Sequence, residues 1–140
     1  MSAPDPAAVH LDTSFLIRAM VAGSGEASSL LGWIEEGRVV AMSSVAWGEF
    51  LCGPVDAAEE ELALRIIRDI QPLEVQDAAL AARLFNEGGR RRGSFQDCMV
   101  AATSLRAGAS LATANPDDFE RLAGAGVSVL APPDWEGEGG

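Results

Sequence analysis

Short apolar runs alternate with helical patterns along nearly the whole chain, and this alternation most limits the possible folds. The first apolar run, 8–11, is followed by helical patterns at 14–20 and 26–37 before the next apolar run begins at Val39. Strands separated by helices are typical of a parallel α/β sheet, because parallel neighbours need a long crossover connection. We therefore predict an α/β fold.

The same alternation continues to the end of the body. The other predicted strands are 39–42, 73–75, 110–114 and 127–130. The other predicted helices are 44–52, 56–70, 77–91, 95–106 and 117–123. We expect one domain over residues 1–140, with a body of about 8–131 and a loose tail at 132–140 that is rich in Pro, Gly and Glu. Sites in such sheets lie at the carboxyl ends of the strands.

Composition excludes several classes of function. The net charge of −11, from 10 basic and 21 acidic residues, rules out a protein that coats nucleic acid by bulk charge. There is no Lys, which excludes a Lys-dependent P-loop and Schiff-base chemistry. The two cysteines have no CxxC spacing, and no membrane-length apolar run or signal peptide is seen, so we expect a cytoplasmic protein without a zinc site. The chemistry must come largely from carboxylates.

Three carboxylates stand in otherwise apolar runs. Asp12 lies in VHLDTSFLI, Glu49 in SSVAWGEFLCG and Asp97 in SFQDCMVAATSL. A buried carboxylate is costly unless it is paired, hydrogen-bonded or bound to a cation. Because these runs hold few arginines, a shared cation is a reasonable partner.

Structural roles compete with this interpretation. Asp12 follows a predicted strand and precedes a helix, so it is equally suited to be an N-cap. Asp97 lies near a helix start, where negative charge is favourable, and Glu49 can simply face solvent. The run LATANPDDF adds Asp118, which also suits a capping arrangement with Asn115 and Pro116. The capping role is strongly supported for Asp118, whereas for Asp12, Glu49 and Asp97 together a purely structural role is the less favoured combination.

Two stretches together resemble a known family. LDTSFLI and RRRGSFQDCMVAATSLRAGASLATANPDDF, in this order and with an isolated Glu between them, look like a PIN domain. More narrowly, they resemble the VapC family of toxin ribonucleases from type II toxin–antitoxin modules. The resemblance runs from about Val9 to Leu130, and the part from Gly93 to Phe119 is the most specific.

The resemblance implies a three-layer α/β/α domain with a mainly parallel sheet of about five strands. It implies a catalytic carboxylate cluster that binds Mg²⁺ or Mn²⁺, with Asp12 and Asp97 as the favoured metal ligands. Other positions match supporting residues, and Asp117 is open as a substitute for or assistant to Asp118. The catalytic set is Asp12, Glu49, Asp97 and Asp118, and the supporting set is Ser14, Thr113 and Asn115.

The expected reaction is metal-dependent hydrolysis of RNA phosphodiester bonds with water as the nucleophile. Arg90, Arg91 and Arg92 form the only dense basic run, and we expect it to steer RNA rather than only to end a helix. The resemblance also implies a homodimer and a cognate antitoxin protein, consistent with broad apolar faces at 27–34 and 62–70. Trp33, Trp47 and Trp135 could stack on bases. For Trp33 and Trp47, packing in the core is favoured.

Three other functions remain open at this point. One is a PIN nuclease of RNA processing that is not a toxin. Another is a PIN-like module that binds RNA or protein without cutting, although the presence of all four acids argues against it. The third is a metal-dependent phosphatase that acts on small esters, which an assay of a small phosphate ester against RNA would separate.

Overall fold

The structure is a computed structural model and describes residues 7–88, 94–120 and 122–130. Its strands are β1 (Val9–Leu11), β2 (Val40–Ser43), β3 (Asp69–Gln71), β4 (Ser110–Ala112) and β5 (Val129–Leu130). Its helices are α1 (Thr13–Ala19), α2 (Gly25–Glu35), α3 (Ser44–Cys52), α4 (Ala57–Ile66), α5 (Val75–Glu87), α6 (Ser94–Arg106) and α7 (Asp117–Glu120), followed by a 3-10 turn at Ala123–Ala125.

The strands form one parallel sheet with β1 at its centre. The order is β3-β2-β1-β4-β5, and Val9 is aligned with Val40 on one side and with Ser110 on the other. Every residue of β1 is buried. Because alternate side chains of a strand point to opposite faces, helices must cover both faces of the sheet. The predicted α/β class and three-layer arrangement are confirmed.

The central position of β1 determines where a site can form. The chain leaves β1 toward β2 and β3 on one side, and returns later to place β4 and β5 on the other. The backbone N–H of Asp12 donates to the carbonyl oxygen of Ala112 at 2.8 Å, so the β1–β4 pairing extends to the point where both strands end. This is the switch point at which parallel sheets hold their ligands.

Several predicted boundaries were wrong, and the largest difference lies around β3. The helix expected at 56–70 ends at Ile66, and the strand expected at 73–75 lies earlier, at Asp69–Gln71. Ile67 leaves the helix with an extended backbone, and Ile70 then pairs with Met42 of β2. Pro72 follows directly, and a proline disfavours helical geometry in the residue before it.

Within the described residues, no helix is long and apolar enough to cross a membrane.

Candidate active site

Asp12 lies at the carboxyl end of the central strand and is 7% exposed. It occupies the N-cap position of α1, and its carbonyl oxygen accepts hydrogen bonds from the N–H groups of Phe15 and Leu16. Its carboxylate makes no capping hydrogen bond. Instead, the hydroxyls of Ser14 and Thr113 donate to Oδ2 at 2.8 and 3.0 Å. The backbone therefore takes the capping role, and the side chain does not.

The surroundings of Asp12 favour a positive partner. Burial raises the pKa of this carboxyl above its ordinary value, although hydrogen bonds from Ser14, Thr113 and the backbone of Thr13 oppose the rise. The negative charge of Glu49 adds to the increase. A nearby cation reverses both unfavourable effects, because it stabilises the ionised form directly.

The hydroxyls of Ser14 and Thr113 are held in position by backbone N–H groups. Ala114 donates to Ser14 Oγ at 3.1 Å, and Asn115 donates to Thr113 Oγ1 at 3.0 Å. The two hydroxyl oxygens are 3.3 Å apart. Because each hydroxyl accepts from the backbone, its own hydrogen is left to point toward the carboxylate. For Asn115, the predicted supporting residue, this contact comes from its backbone.

Glu49 is an exposed residue of α3 that is tied to the same junction. The helix begins after Ser43, whose Oγ accepts from the N–H of Ala46 at 3.1 Å. Glu49 Oε1 lies 3.0 Å from the hydroxyl of Thr13, which also lies 2.9 Å from the carbonyl oxygen of Ala46. Thr13 is thus a positioning contact that the sequence analysis missed. Its signal was its place between two site residues in a buried run.

Asp97 and Asp118 lie on α6 and α7, in the second half of the chain. Asp97 is half-buried in the first turn of α6, and Asp118 is exposed on α7, beside the exposed Asp117. Helix α6 packs against both α3 and α7. Helix α6, which carries Asp97, therefore contacts the helices that carry Glu49 and Asp118. Asp12 and Glu49 share Thr13 as a hydrogen-bonding neighbour.

The oxygen donors of this site suit a hard divalent cation. Both hydroxyls bond to Oδ2 of Asp12, so neither of them occupies Oδ1. In residues 7–88, 94–120 and 122–130, no group of three Asp, Glu, His or Cys side chains is close enough to hold an ion unaided. The donor set fits an ion bound by few carboxylates and several waters, as is common for Mg²⁺.

The remaining predicted residues are the three consecutive arginines and the three tryptophans. Arg90, Arg91 and Arg92 fall outside the described residues, as does Trp135. Trp33 stacks on Phe15 with ring centroids 5.4 Å apart, and Trp47 packs on Phe50 at the same distance. Both of these tryptophans pack against the hydrophobic core, as predicted.

Comparison with known proteins agrees with the fold. A family model described as "PIN domain" matches residues 9–125. Among curated proteins, none matches the sequence significantly.

Several solved structures are similar. VapBC2 from Rickettsia felis, bound to a DNA fragment from its promoter, gives a TM-score of 0.72 at 16% identity, covering 88% of this chain and 97% of that one. VapC20 from Mycobacterium tuberculosis, described as a sarcin–ricin-loop-cleaving toxin, gives 0.59 at 21% identity, covering 86% and 96%. VapBC-5 from the same organism, described as a member of the VapBC family of toxin–antitoxin systems, gives 0.57 at 26% identity, covering 90% and 98%.

Proposed function

The chain belongs to the PIN domain family, and we propose that within this family it is a metal-dependent endoribonuclease that acts as the toxin of a toxin–antitoxin pair. The observation that carries the proposal is the Asp12 carboxylate. It is buried at the end of the central strand and receives two hydroxyl donors that the backbone holds in place. Similarity to VapC20 and VapBC-5 supports the narrower assignment.

Each acid has a role in this proposal. Asp12 and Asp97 would hold Mg²⁺ or Mn²⁺, which when bound activates a water and stabilises charge that develops on the phosphate. Ser14 and Thr113 fix Oδ2 of Asp12 and keep the carboxylate from rotating. One of the exposed carboxylates, Glu49 or Asp118, would accept the proton that the attacking water loses as its oxygen bonds to phosphorus, and would return a proton to the leaving oxygen as the phosphodiester bond breaks.

Exposed apolar side chains support the proposal that this chain binds partner proteins. Leu31 on α2 is 57% exposed, and Leu62 and Leu64 on α4 are 47% and 48% exposed. In this proposal such surfaces are covered by a second copy of the chain and by an amphipathic antitoxin segment. An antitoxin arginine that enters the acidic site would compete with the metal. The expected compartment is the cytoplasm, where RNA is plentiful.

The direct test is RNA cleavage by the purified full chain. We expect cleavage with Mn²⁺ or Mg²⁺, none with a chelator, and none by folded Asp12→Asn protein. Arg83→Gln, which changes an exposed residue outside the site, is the matched control and should cleave normally. If folded wild-type protein with metal leaves RNA intact but hydrolyses a small phosphate ester, the ribonuclease proposal is wrong.

The toxin role has its own test. Co-expression with the product of the neighbouring gene should give a co-purifying complex, should suppress RNA cleavage and should relieve growth arrest. Sizing of the protein alone should give a dimer. A monomer that ignores the neighbouring product while it cleaves RNA would point to an RNA-processing nuclease instead.

A further inference from the structure

Three arginines surround a pocket at the amino ends of β2 and β3, the end of the sheet opposite to Asp12. The pocket has a volume of about 310 Å³. Arg38 lies just before β2, Arg65 lies near the end of α4, and Arg68 lies just before β3. We call this the arginine pocket, with an apolar floor formed by Ile34, Val39 and Ile66.

Local structure directs these side chains to one place. Gly37 has φ +82, a left-handed conformation that glycine adopts easily, and it turns the chain from α2 into β2. Arg38 follows, and its Nε donates to the carbonyl oxygen of Ala7 at 2.9 Å. The backbone N–H of Arg68 donates to the carbonyl oxygen of Val40 at 2.8 Å, which holds the entry to β3 against β2.

The charge of the pocket is only partly balanced. Glu61 accepts from Arg65 at 3.0 Å, but both side chains are largely exposed, so the pair is weak. Within the described residues, neither Arg38 nor Arg68 forms a salt bridge, and no Asp or Glu lines the pocket. By contrast, Arg18 and Arg106 bind the buried carboxylates of Glu26 and Asp77. The arginine pocket thus concentrates three of the six arginines that the structure describes.

Such a concentration is unusual on a chain of net charge −11. A polyanion is repelled by this surface as a whole and must be bound where cations are grouped. Guanidinium groups suit phosphate because they donate two hydrogen bonds in one plane. We propose that the arginine pocket binds phosphates of an RNA strand outside the cleavage site, an inference that rests on the proposed ribonuclease function.

The geometry gives the site a defined character. No aromatic side chain lines the pocket in the described part of the chain, so it contacts the RNA backbone and reads no base by stacking. Because β1 and β2 are three and four residues long, about 10 Å plus the flanking loops separates the amino ends of the strands from their carboxyl ends. Only an RNA long enough to extend from the Asp12 site to the opposite end of the sheet gains affinity from the arginine pocket.

The test compares a short and a long RNA that share one cleavage site. In an Asp12→Asn background, which keeps the RNA intact, Arg38→Gln/Arg65→Gln/Arg68→Gln should bind the long RNA more weakly. For single strands each lost phosphate contact reduces the log–log salt slope by about 0.7, so the slope should fall by about 2. In the otherwise wild-type protein, the triple variant should raise KM for the long RNA and leave kcat unchanged. The short RNA should be unaffected.

Three controls keep the test decisive. Arg83→Gln removes one exposed arginine elsewhere and should leave both RNAs unaffected. The triple Lys variant keeps the charge and should keep most of the salt slope. If the triple Gln variant does not fold, Arg68→Gln alone should lower the slope by about 0.7, since no salt bridge within the described residues involves Arg68.

The outcomes separate the two proposals. If the wild-type protein cleaves RNA but the triple Gln and Arg83→Gln variants bind the long RNA identically, the phosphate site is wrong. The proposed ribonuclease function is then unaffected. Loss of binding to an acidic peptide with unchanged RNA binding also overturns the phosphate site and assigns the pocket to a protein partner. RNA binding that depends on the pocket without any metal-dependent cleavage overturns the proposed function and retains the pocket.

Discussion

Asp12 has two hydroxyl donors on one carboxylate oxygen and is still harder to ionise than an ordinary aspartate. Burial raises its pKa more than the hydroxyls of Ser14 and Thr113 lower it. In the absence of a cation, the folded protein therefore stabilises the ionised Asp12 carboxylate less well than water does. Such local costs are common at catalytic sites, where function selects the residue.

Replacing this charge should stabilise the metal-free protein. Asp12→Asn keeps an oxygen that accepts hydrogen bonds and removes the buried charge, so its melting temperature without metal at pH 7 should exceed that of the wild type. The same variant should lose RNA cleavage. A melting curve with a chelator, beside a cleavage assay, checks both; a variant that is less stable and still active contradicts the assigned role.

Thr113 should act through its hydroxyl. Thr113→Val removes a donor to the buried Asp12 carboxylate and an acceptor for the N–H of Asn115, and should cost about 2 kcal/mol of unfolding free energy. Thr113→Ser keeps the hydroxyl and is the control, which should retain most of the activity. Denaturant unfolding and metal-dependent cleavage measure the two effects. Equal activity in Val and Ser variants contradicts a positioning role.

At the level of single residues, the sequence predicted candidates better than it predicted their contacts. Asp12 could be identified because an acidic residue in the otherwise largely apolar run VHLDTSFLI cannot contribute to hydrophobic packing. Its capping alternative was not decidable, because an N-cap and a site carboxylate occupy the same position after a strand. Thr13 was missed because its contact with Glu49 joins residues 36 positions apart, which no local pattern records.

Among the elements, α5 and α6 are joined by an ion pair whose acidic partner is buried. Arg106 Nε at the end of α6 donates to Oδ1 of Asp77 at 2.7 Å, and Asp77 is 1% exposed. Burial by itself would raise the pKa of Asp77, but the hydrogen bond and charge of Arg106 lower it below its ordinary value. This pair fastens the start of α5 to the end of α6.

Breaking this pair should be expensive and pH-dependent. Asp77→Asn should lower the unfolding free energy by about 3 kcal/mol at pH 7, because it leaves Arg106 without its buried partner. A lowered folded-state pKa stabilises the protein above the unfolded-state value and loses that contribution as pH falls through the folded-state value. The difference between wild type and variant should therefore shrink below about pH 4.

The matched control for this pair is an exposed one. Glu61→Gln removes the contact with Arg65 and should cost about 0.5 kcal/mol or less at either pH. Denaturant unfolding at pH 7 and at low pH compares the two variants. Equal losses in both would contradict the role of burial.

The element boundaries show where sequence patterns lose information. The repeat of apolar residues in ALRIIRDI continues the α4 pattern smoothly, so periodicity alone predicted a helix to residue 70. What ends the helix is pairing of Ile70 with Met42, a contact made across 28 residues. Boundaries set by long-range pairing in this way are decided by tertiary structure.

At the scale of the whole molecule, the acids should make the fold respond to divalent cations. A metal that binds only the native state at 100 times its Kd adds about 2.7 kcal/mol. For a domain of this size that raises Tm by about 8 °C. Mutation of Asp12, Glu49, Asp97 and Asp118 to Ala should abolish the increase.

A control separates this site from general acidity. Glu59, Glu60 and Glu61 lie exposed on α4, and changing all three to Gln should leave the metal response intact. Thermal unfolding with and without Mn²⁺ measures both variants. An equal response in the site variant and the wild type would place the cation elsewhere.

The hydrogen bond between Thr113 and Asp12 also bears on how the protein is made. It joins residues 101 positions apart, and β4 is synthesised long after β1. A nascent chain that ends before residue 110 lacks both the neighbouring strand and the second hydroxyl of the site. In the proposed ribonuclease, activity therefore arises only after β4 has been synthesised and has paired with β1, so a ribosome carries no working nuclease while its chain is shorter than this.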